Sequence, residues 1–173
     1  TLNPFLVHIK PEEIAVGSVT QEVYLTSENE KFKVLFNILK SEEVTKAIIF
    51  VNRRNQTRDL EENLYRYQIS TGLLTGDVPQ KRRIRTLQQF KSGKIEVLVA
   101  TDVAGRGIHV NDVSHVINFN LPEDPEDYVH RIGRTGRAGA KGTSISLVCE
   151  SDVFMLLAIE KLLGESIIST QPD

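Results

Sequence analysis

The stretch from Tyr128 to Gly139, YVHRIGRTGRAG, holds His130, Arg131, Arg134 and Arg137, with Gly133, Gly136 and Gly139 between them and no acidic residue. Arginine presents a planar, permanently charged fork of N–H donors that matches phosphate oxygens. Glycine lets backbone turn sharply or approach a ligand closely. Together they suit a placed anion site, one that could also meet charge building on a phosphate. A second reading stays open at this level. Cations are favoured near helix C-termini, so the cluster also fits a solvated basic helix end.

The rest of the composition makes such a site local. The chain has 173 residues and a formal net charge of −2. That length fits one domain with a full core, and that charge gives no whole-body attraction for nucleic acid. The single cysteine, Cys149, allows neither an internal disulfide nor a zinc set. It lies in the run ISLVC and reads as a small buried residue. No apolar run reaches the ~18 residues needed to span a membrane. No charged-then-apolar leader opens the sequence. Cytoplasm is the expected setting, with no membrane partner.

The positioning elements follow from periodicity. Residues 1–18, broken by Pro4, Pro11 and Gly17, read as a linker or arm, residues 19–164 as the domain, and residues 165–173 as a tail with one β-like pair, Ile167-Ile168. Strands are expected at Val19–Leu25, Lys46–Asn52, Ser70–Asp77, KIEVLVATD, VSHVINFN and KGTSISLVCE. Between them lie expected helices. The first has Ser27 as N-cap, with Phe32, Leu35, Phe36 and Leu39 on one face. The second turns Leu60 and Leu64 to one side. The third opens at Pro79, turns Ile84, Leu87 and Phe90 inward and stops at Gly93. DVAGRGIHVND reads as a loop. LPEDPEDYVHRI reads as a helix capped by Asp124, with Pro125 in its first turn. The last helix has Ser151 as cap. Apolar strands alternating with helices predict an α/β fold with a mostly parallel sheet covered on both faces. Ligands then gather at the carboxyl ends of the strands, where Asn52-Arg53, Thr75-Gly76-Asp77 and Thr101-Asp102 fall.

Familiar nucleotide motifs are absent. GRAGAKGTS places Lys141 out of register for a P-loop and runs into a strand. AGRGIHV is followed too soon by a strand to open a Rossmann helix. Glu61-Glu62 lies mid-helix, where solvation is the expected fate. Hydrolysis of a nucleotide needs a phosphate cradle, a metal carboxylate and a group orienting water, and none is evident. What remains is an arginine of the kind another surface would need.

Four segments together resemble the DEAD-box ATP-dependent RNA helicases. IIFVN (Ile48–Asn52), TGDVPQKRR (Thr75–Arg83), VLVATDVAGRGIHV (Val97–Val110) and YVHRIGRTGRAG resemble its motifs IV, Q-x-x-R, V and VI, in the family's order and spacing. The likeness runs from about residue 18 to 162, and concerns the C-terminal RecA-like domain, a three-layer α/β/α fold. The P-loop and the DEAD carboxylates belong to the family's N-terminal RecA-like domain. RGIHV and SLVCE are most similar to a bacterial branch that works in RNA-degradation assemblies with an endoribonuclease.

The resemblance implies roles. Arg134 and Arg137 would reach ATP phosphates across an interdomain cleft, with Arg137 the better finger. His130 would couple the ATP site to RNA. The Gly107 backbone would approach the γ-phosphate, and Arg106 would pair with first-domain carboxylates. His109 stands where the family has an Asp on the ATP ribose; a histidine can still hydrogen-bond a hydroxyl. Gly105 stands where Ala is usual, which would loosen the loop. For Arg131 two roles remain open, a phosphate ligand or a brace for the loop. Asn52, Arg53, Thr75, Gly76, Arg83, Thr101 and Asp102 match positions along the RNA backbone. With no aromatic platform among them, base preference should be slight. Lys81, Arg82 and Arg85 read as a solvated helix face. ATP with Mg2+ would be held mainly by the first domain, so the isolated segment should be inactive. The competing readings are a protein- or RNA-binding scaffold in an RNA-degradation assembly, and a DNA helicase of the wider superfamily.

Overall fold

Among the described residues, seven strands form one sheet in the order β3-β4-β2-β5-β6-β1-β7. Every strand pair among the described residues runs parallel. The computed structural model describes residues 19–105, 113–136, 141–164, 167 and 169–170. The strands are β1 Val19–Leu25, β2 Ala47–Phe50, β3 Thr71–Leu74, β4 Val97–Ala100, β5 His115–Asn118, β6 Gly142–Val148 and β7 Ser169–Thr170. The helices are α1 Lys31–Leu39, α2 Arg54–Arg66, α3 Gln80–Ser92, α4 Asp102–Gly105, α5 Pro125–Ile132 and α6 Val153–Leu163. The α/β expectation therefore holds, and the sheet is parallel throughout these pairs.

The sheet divides its side chains between two helical layers. In β2, Ala47 and Ile49 face a core shared with Val34 and Leu35 of α1 and with Leu60 and Leu64 of α2. Ile48 and Phe50 face the opposite core, with Phe90 of α3 and Ala104 of α4. On that second face, α5 and α6 cover Val23 and Val148 through Tyr128, Val129, Ile132, Ile159 and Leu163. Strands covered on both faces read as continuous apolar runs, which explains why AIIF and VLVA show no alternation. Each fully buried Leu or Ile contributes about 1.5–3 kcal/mol.

Several local expectations are corrected. Ser27 makes no side-chain cap; Glu28–Glu30 form a 3-10 turn whose closing N–H, from Glu30, donates to the Ser27 carbonyl. Ser151 lies inside a second 3-10 turn, where the Asp152 carboxylate accepts from the Cys149 N–H at 2.9 Å. Ile84 is 48% exposed. Helix α3 turns Thr86 and Phe90 inward because the Thr86 methyl packs on Gly72, where a Cβ would sit 2.6 Å away. The segment read as a loop begins with one helical turn, α4, closed by Gly105 N–H to the Thr101 carbonyl at 2.7 Å. The β-pairing expected at Ile167-Ile168 falls two residues on, at Ser169–Thr170. Ile167 is buried in the third cluster, and its N–H donates to the Glu160 carboxylate at 2.7 Å. The arm expected at residues 1–18 lies outside the described residues. No helix among the described residues is long and apolar enough to cross a membrane.

Candidate nucleotide and nucleic-acid site

Three neighbouring strands, β4, β2 and β5, end side by side and set the site. Beyond their carboxyl ends lie Thr101-Asp102, Asn52 and Asn120. Helix α5 passes across them. Its start is locally encoded: the Asp124 carboxylate accepts the Glu126 N–H at 3.0 Å, and Pro125 supplies a fixed φ in the first turn. Its buried face brings Arg131, 1% exposed, down onto the three strand ends.

All five N–H groups of the Arg131 guanidinium are used. Nε and Nη2 donate side-on to the two Asp102 carboxylate oxygens at 2.6 and 2.7 Å. Nη1 donates to Asn118 Oδ1 at 3.1 Å and to the Asn120 carbonyl at 2.7 Å. Nη2 donates also to Asn52 Oδ1 at 2.8 Å. The guanidinium carbon lies 5.2 Å from the centre of the Phe50 ring, a cation–π contact. Of the two roles left open, the geometry selects the brace. Arg131 ties α4, α5 and the ends of β2 and β5 together and has no donor left for a phosphate.

Other expected ligands also have their side chains bonded within the chain. Asn52 accepts from Arg131, donates through Nδ2 to the Leu121 carbonyl at 2.9 Å, and has its backbone N–H bonded to Asn120 Oδ1 at 3.0 Å. Thr75 is buried, and its hydroxyl donates to the Asp77 carboxylate. That bond is the largest cause holding the Asp77 carboxyl below its ordinary range. Arg83 is half-buried and donates to the Ala104 carbonyl at 2.6 Å, closing the end of the α4 turn. Thr101 is buried. Arg53 and Gly76, by contrast, are exposed. Asn118 and Asn120 stand outside the set of residues expected at the site. Their signal was available: a polar residue inside the apolar run VINFN, once buried, needs a partner.

Above the brace lies a cleft of about 230 Å³ lined by Phe50, Asp102, Gly105, Asp127, His130, Arg131 and Arg134. His130 is half-exposed, with Nδ1 3.6 Å from Asp127 Oδ1, one helical turn back. Arg134 follows α5 directly, with Thr135 anchored by its hydroxyl to the Val113 carbonyl at 2.5 Å. Gly136 has φ +68°. The loop there rests on the start of β6, where a Cβ on Gly142 would lie 2.2 Å from Thr135 Oγ1 and 2.4 Å from the Gly136 nitrogen. Gly105 is not a loosened joint. A Cβ there would lie 2.5 Å from Phe50 Cε1, so the missing side chain lets the ring and the α4 turn meet. Arg106, Gly107, His109 and Arg137 lie outside the described residues.

A second hollow flanks the first, lined by Asn52, Thr101, Asp102, Val103, Glu123, Asp124 and Asp127. Its lining is acidic. Asp102 therefore stands between the two hollows, its charge matched by Arg131.

Comparison with known proteins agrees with this geometry. Residues 30–139 match the family model described as the helicase conserved C-terminal domain. Over 99% of its length the chain is 54% identical to the ATP-dependent RNA helicase RhlB of Pseudomonas aeruginosa, covering 43% of that protein. It superposes on the E. coli DEAD-box protein SrmB, solved bound to regulator of ribonuclease activity A, with a TM-score of 0.83. The identity there is 40%, and the match covers 87% of this chain and 89% of that one. It also superposes on S. cerevisiae Dbp5 bound to RNA and ADP BeF3, with a TM-score of 0.81 and 34% identity, covering 88% of this chain and 41% of that one. The chain thus spans less than half the length of the RhlB relative.

Proposed function

Because this chain belongs to the helicase conserved C-terminal domain family, on its DEAD-box RNA helicase branch, we propose that it is the second RecA-like half of an ATP-dependent RNA helicase. In this reading an N-terminal RecA-like domain holds ATP and Mg2+, and RNA lies across both halves. The observation that carries it is the Arg131 brace. One arginine of the basic cluster is spent on architecture, and that leaves His130 and Arg134 on a cleft at the strand ends.

The chemistry of the cleft fits a phosphate edge. Asp102 is matched by Arg131, Asp127 lies 3.6 Å from His130 Nδ1, and Arg134 shares the lining. Mg2+, when bound, neutralises phosphate charge, and its ligands are assigned to the first domain. Arg134 and Arg137 meet the charge that develops on the transferred phosphoryl group. An arginine in that role contributes about 10³–10⁵ in rate, or roughly 4–7 kcal/mol at about 1.36 kcal/mol per decade. Gly107 offers its backbone N–H to the γ-phosphate, His109 a ring nitrogen to the ribose, and Arg106 a charge to the first domain. His130 passes the state of the nucleotide to the RNA side.

On the RNA track the accessible groups divide the labour. Arg53 and the Gly76 backbone, both exposed, contact phosphates. Asn52, Thr75, Arg83, Thr101 and Asp102 act through backbone groups or by fixing the loops. Such contacts position a strand without reading its bases. The setting proposed is the cytoplasm.

The test is RNA-stimulated ATP hydrolysis. The isolated chain should show none, and full-length protein containing this segment should show it. Hydrolysis by the isolated chain at the full-length rate sinks the reading.

A protein-docking role in an RNA-degradation assembly, with an endoribonuclease as partner, is favoured by one observation. Helix α6 exposes Phe154 by 84% and Leu157 by 55%, three residues apart on one face. Retention of an endoribonuclease on the immobilised chain, lost in Phe154→Ser, would support this reading. It is compatible with the first.

A further inference from the structure

Beside the expected RNA residues stands a group that the motif resemblance leaves unassigned. Arg58 Nη2 lies 2.5 Å from Asp77 Oδ2, and Arg54 Nη1 lies 3.8 Å from the same oxygen. Both arginine side chains are well exposed, 61% and 64%. They are four residues apart on α2 and so share one face. The other oxygen of Asp77 accepts the Thr75 hydroxyl, which fixes the carboxylate between the two guanidinium groups. Two exposed arginines converging on one oxyanion is the arrangement of a phosphate clamp, and the oxyanion here belongs to the chain itself.

Arg53, Lys81, Arg82 and Arg85 are exposed, as are Asp59 and Glu62 of α2. Arg58 and Arg82 are both close enough to Glu61 to offset part of the burial that raises its carboxyl. A phosphate backbone in contact with Arg53 and Gly76 lies next to the exposed Arg54 and Arg58 side chains of α2.

We propose that Arg54 and Arg58 bind an RNA backbone phosphate next to the Arg53–Gly76 contact, displacing Asp77, which holds the two arginines together when no RNA is bound. The inference rests on the RNA-track reading above and extends it by one phosphate. The exchange swaps a carboxylate for a phosphate on the same donors, so it adds affinity without base preference. It also places a competing anion in the track.

The test uses full-length protein containing this segment and a fluorescein-labelled single-stranded uridine RNA, with anisotropy followed from about 50 to 200 mM salt. Arg58→Gln should weaken binding by about threefold to fivefold, and the log–log salt slope should become shallower by about 0.7, the value for one single-strand phosphate contact. Asp77→Asn, whose Oδ1 can still accept from Thr75, should tighten binding. Wild-type affinity in Arg58→Gln overturns the proposal, as does affinity at or below wild type in Asp77→Asn. Both positions are exposed enough that folding should persist. If the wild-type protein fails to bind the RNA, the underlying helicase reading fails, and this inference with it.

Discussion

Arg131 and Asp102 meet side-on, each carboxylate oxygen taking a different guanidinium nitrogen at 2.6 and 2.7 Å. The pair joins helix α5 to the α4 turn across 29 residues of sequence. Both residues line the cleft.

Arg131 and Arg134 should therefore separate by what their loss costs. Arg131→Met leaves Asp102 without its cation. Removing one partner of a buried pair costs about 3–5 kcal/mol, and the 22% exposure of Asp102 lowers this to about 2–4 kcal/mol. Arg134→Ala should cost about 1 kcal/mol or less. Urea unfolding of the two variants checks this, and equal losses would contradict the division of roles.

Gly142 and Gly76 form a second contrast. At Gly142 an alanine Cβ meets a backbone nitrogen of the Thr135–Gly136 loop, which can move only by shifting that loop. Gly142→Ala should lose about 1–3 kcal/mol, as overpacked sites do. Nothing lies within 4 Å of a Cβ at Gly76. There the change should stay within about 0.5 kcal/mol. Thermal unfolding of the pair is sufficient to decide.

Much of the fold was legible in the sequence because the signals were local. Asp124 and Pro125 encode the start of α5, and Gly93, at φ +86°, stops α3. Apolar runs in β2 and β4 announce strands buried on both faces. What was not legible depends on partners distant in sequence. Ile84 fits a helical face by spacing, but the contact of Thr86 with Gly72 rotates α3 away from it. Ser27 and Ser151 have cap chemistry, but 3-10 turns displace both from the position that uses it. Arg131 could not be distinguished from Arg134 by type or spacing. Only the convergence of Asn52, Asp102, Asn118 and Asn120 beneath it shows which arginine is the brace. For the same reason the bonds that Asn52 and Thr75 make within the chain are not visible in the sequence.

Cys149 should be slow to react. Burial, the largest cause, pushes its thiol up to about 11, with Glu28 and Asp152 adding to the rise and Lys31 opposing it. Two units above the ordinary thiol leave about a hundredfold less thiolate at neutral pH. A disulfide exchange reagent at pH 8 should label unfolded chain at least about a hundred times faster than folded chain, and equal rates would exclude a buried thiol.

His115 gives the fold an acid-side weakness. Burial, the larger cause, holds its imidazole below the ordinary value, with Glu43 opposing. A histidine whose folded value is lowered is protonated first in the unfolded chain, so stability falls as pH drops below about 6.5 and levels off below the folded value. Urea midpoints between about pH 7.5 and 5 should fall less steeply in His115→Gln than in wild type. Parallel profiles would remove His115 as a cause.

If this half lends arginines to a nucleotide held elsewhere, steady-state ATP turnover by full-length Arg137→Ala with saturating RNA will show it. Turnover should fall by about 10³-fold or more while affinity for single-stranded RNA changes by less than about twofold. Wild-type turnover in that variant would contradict the account.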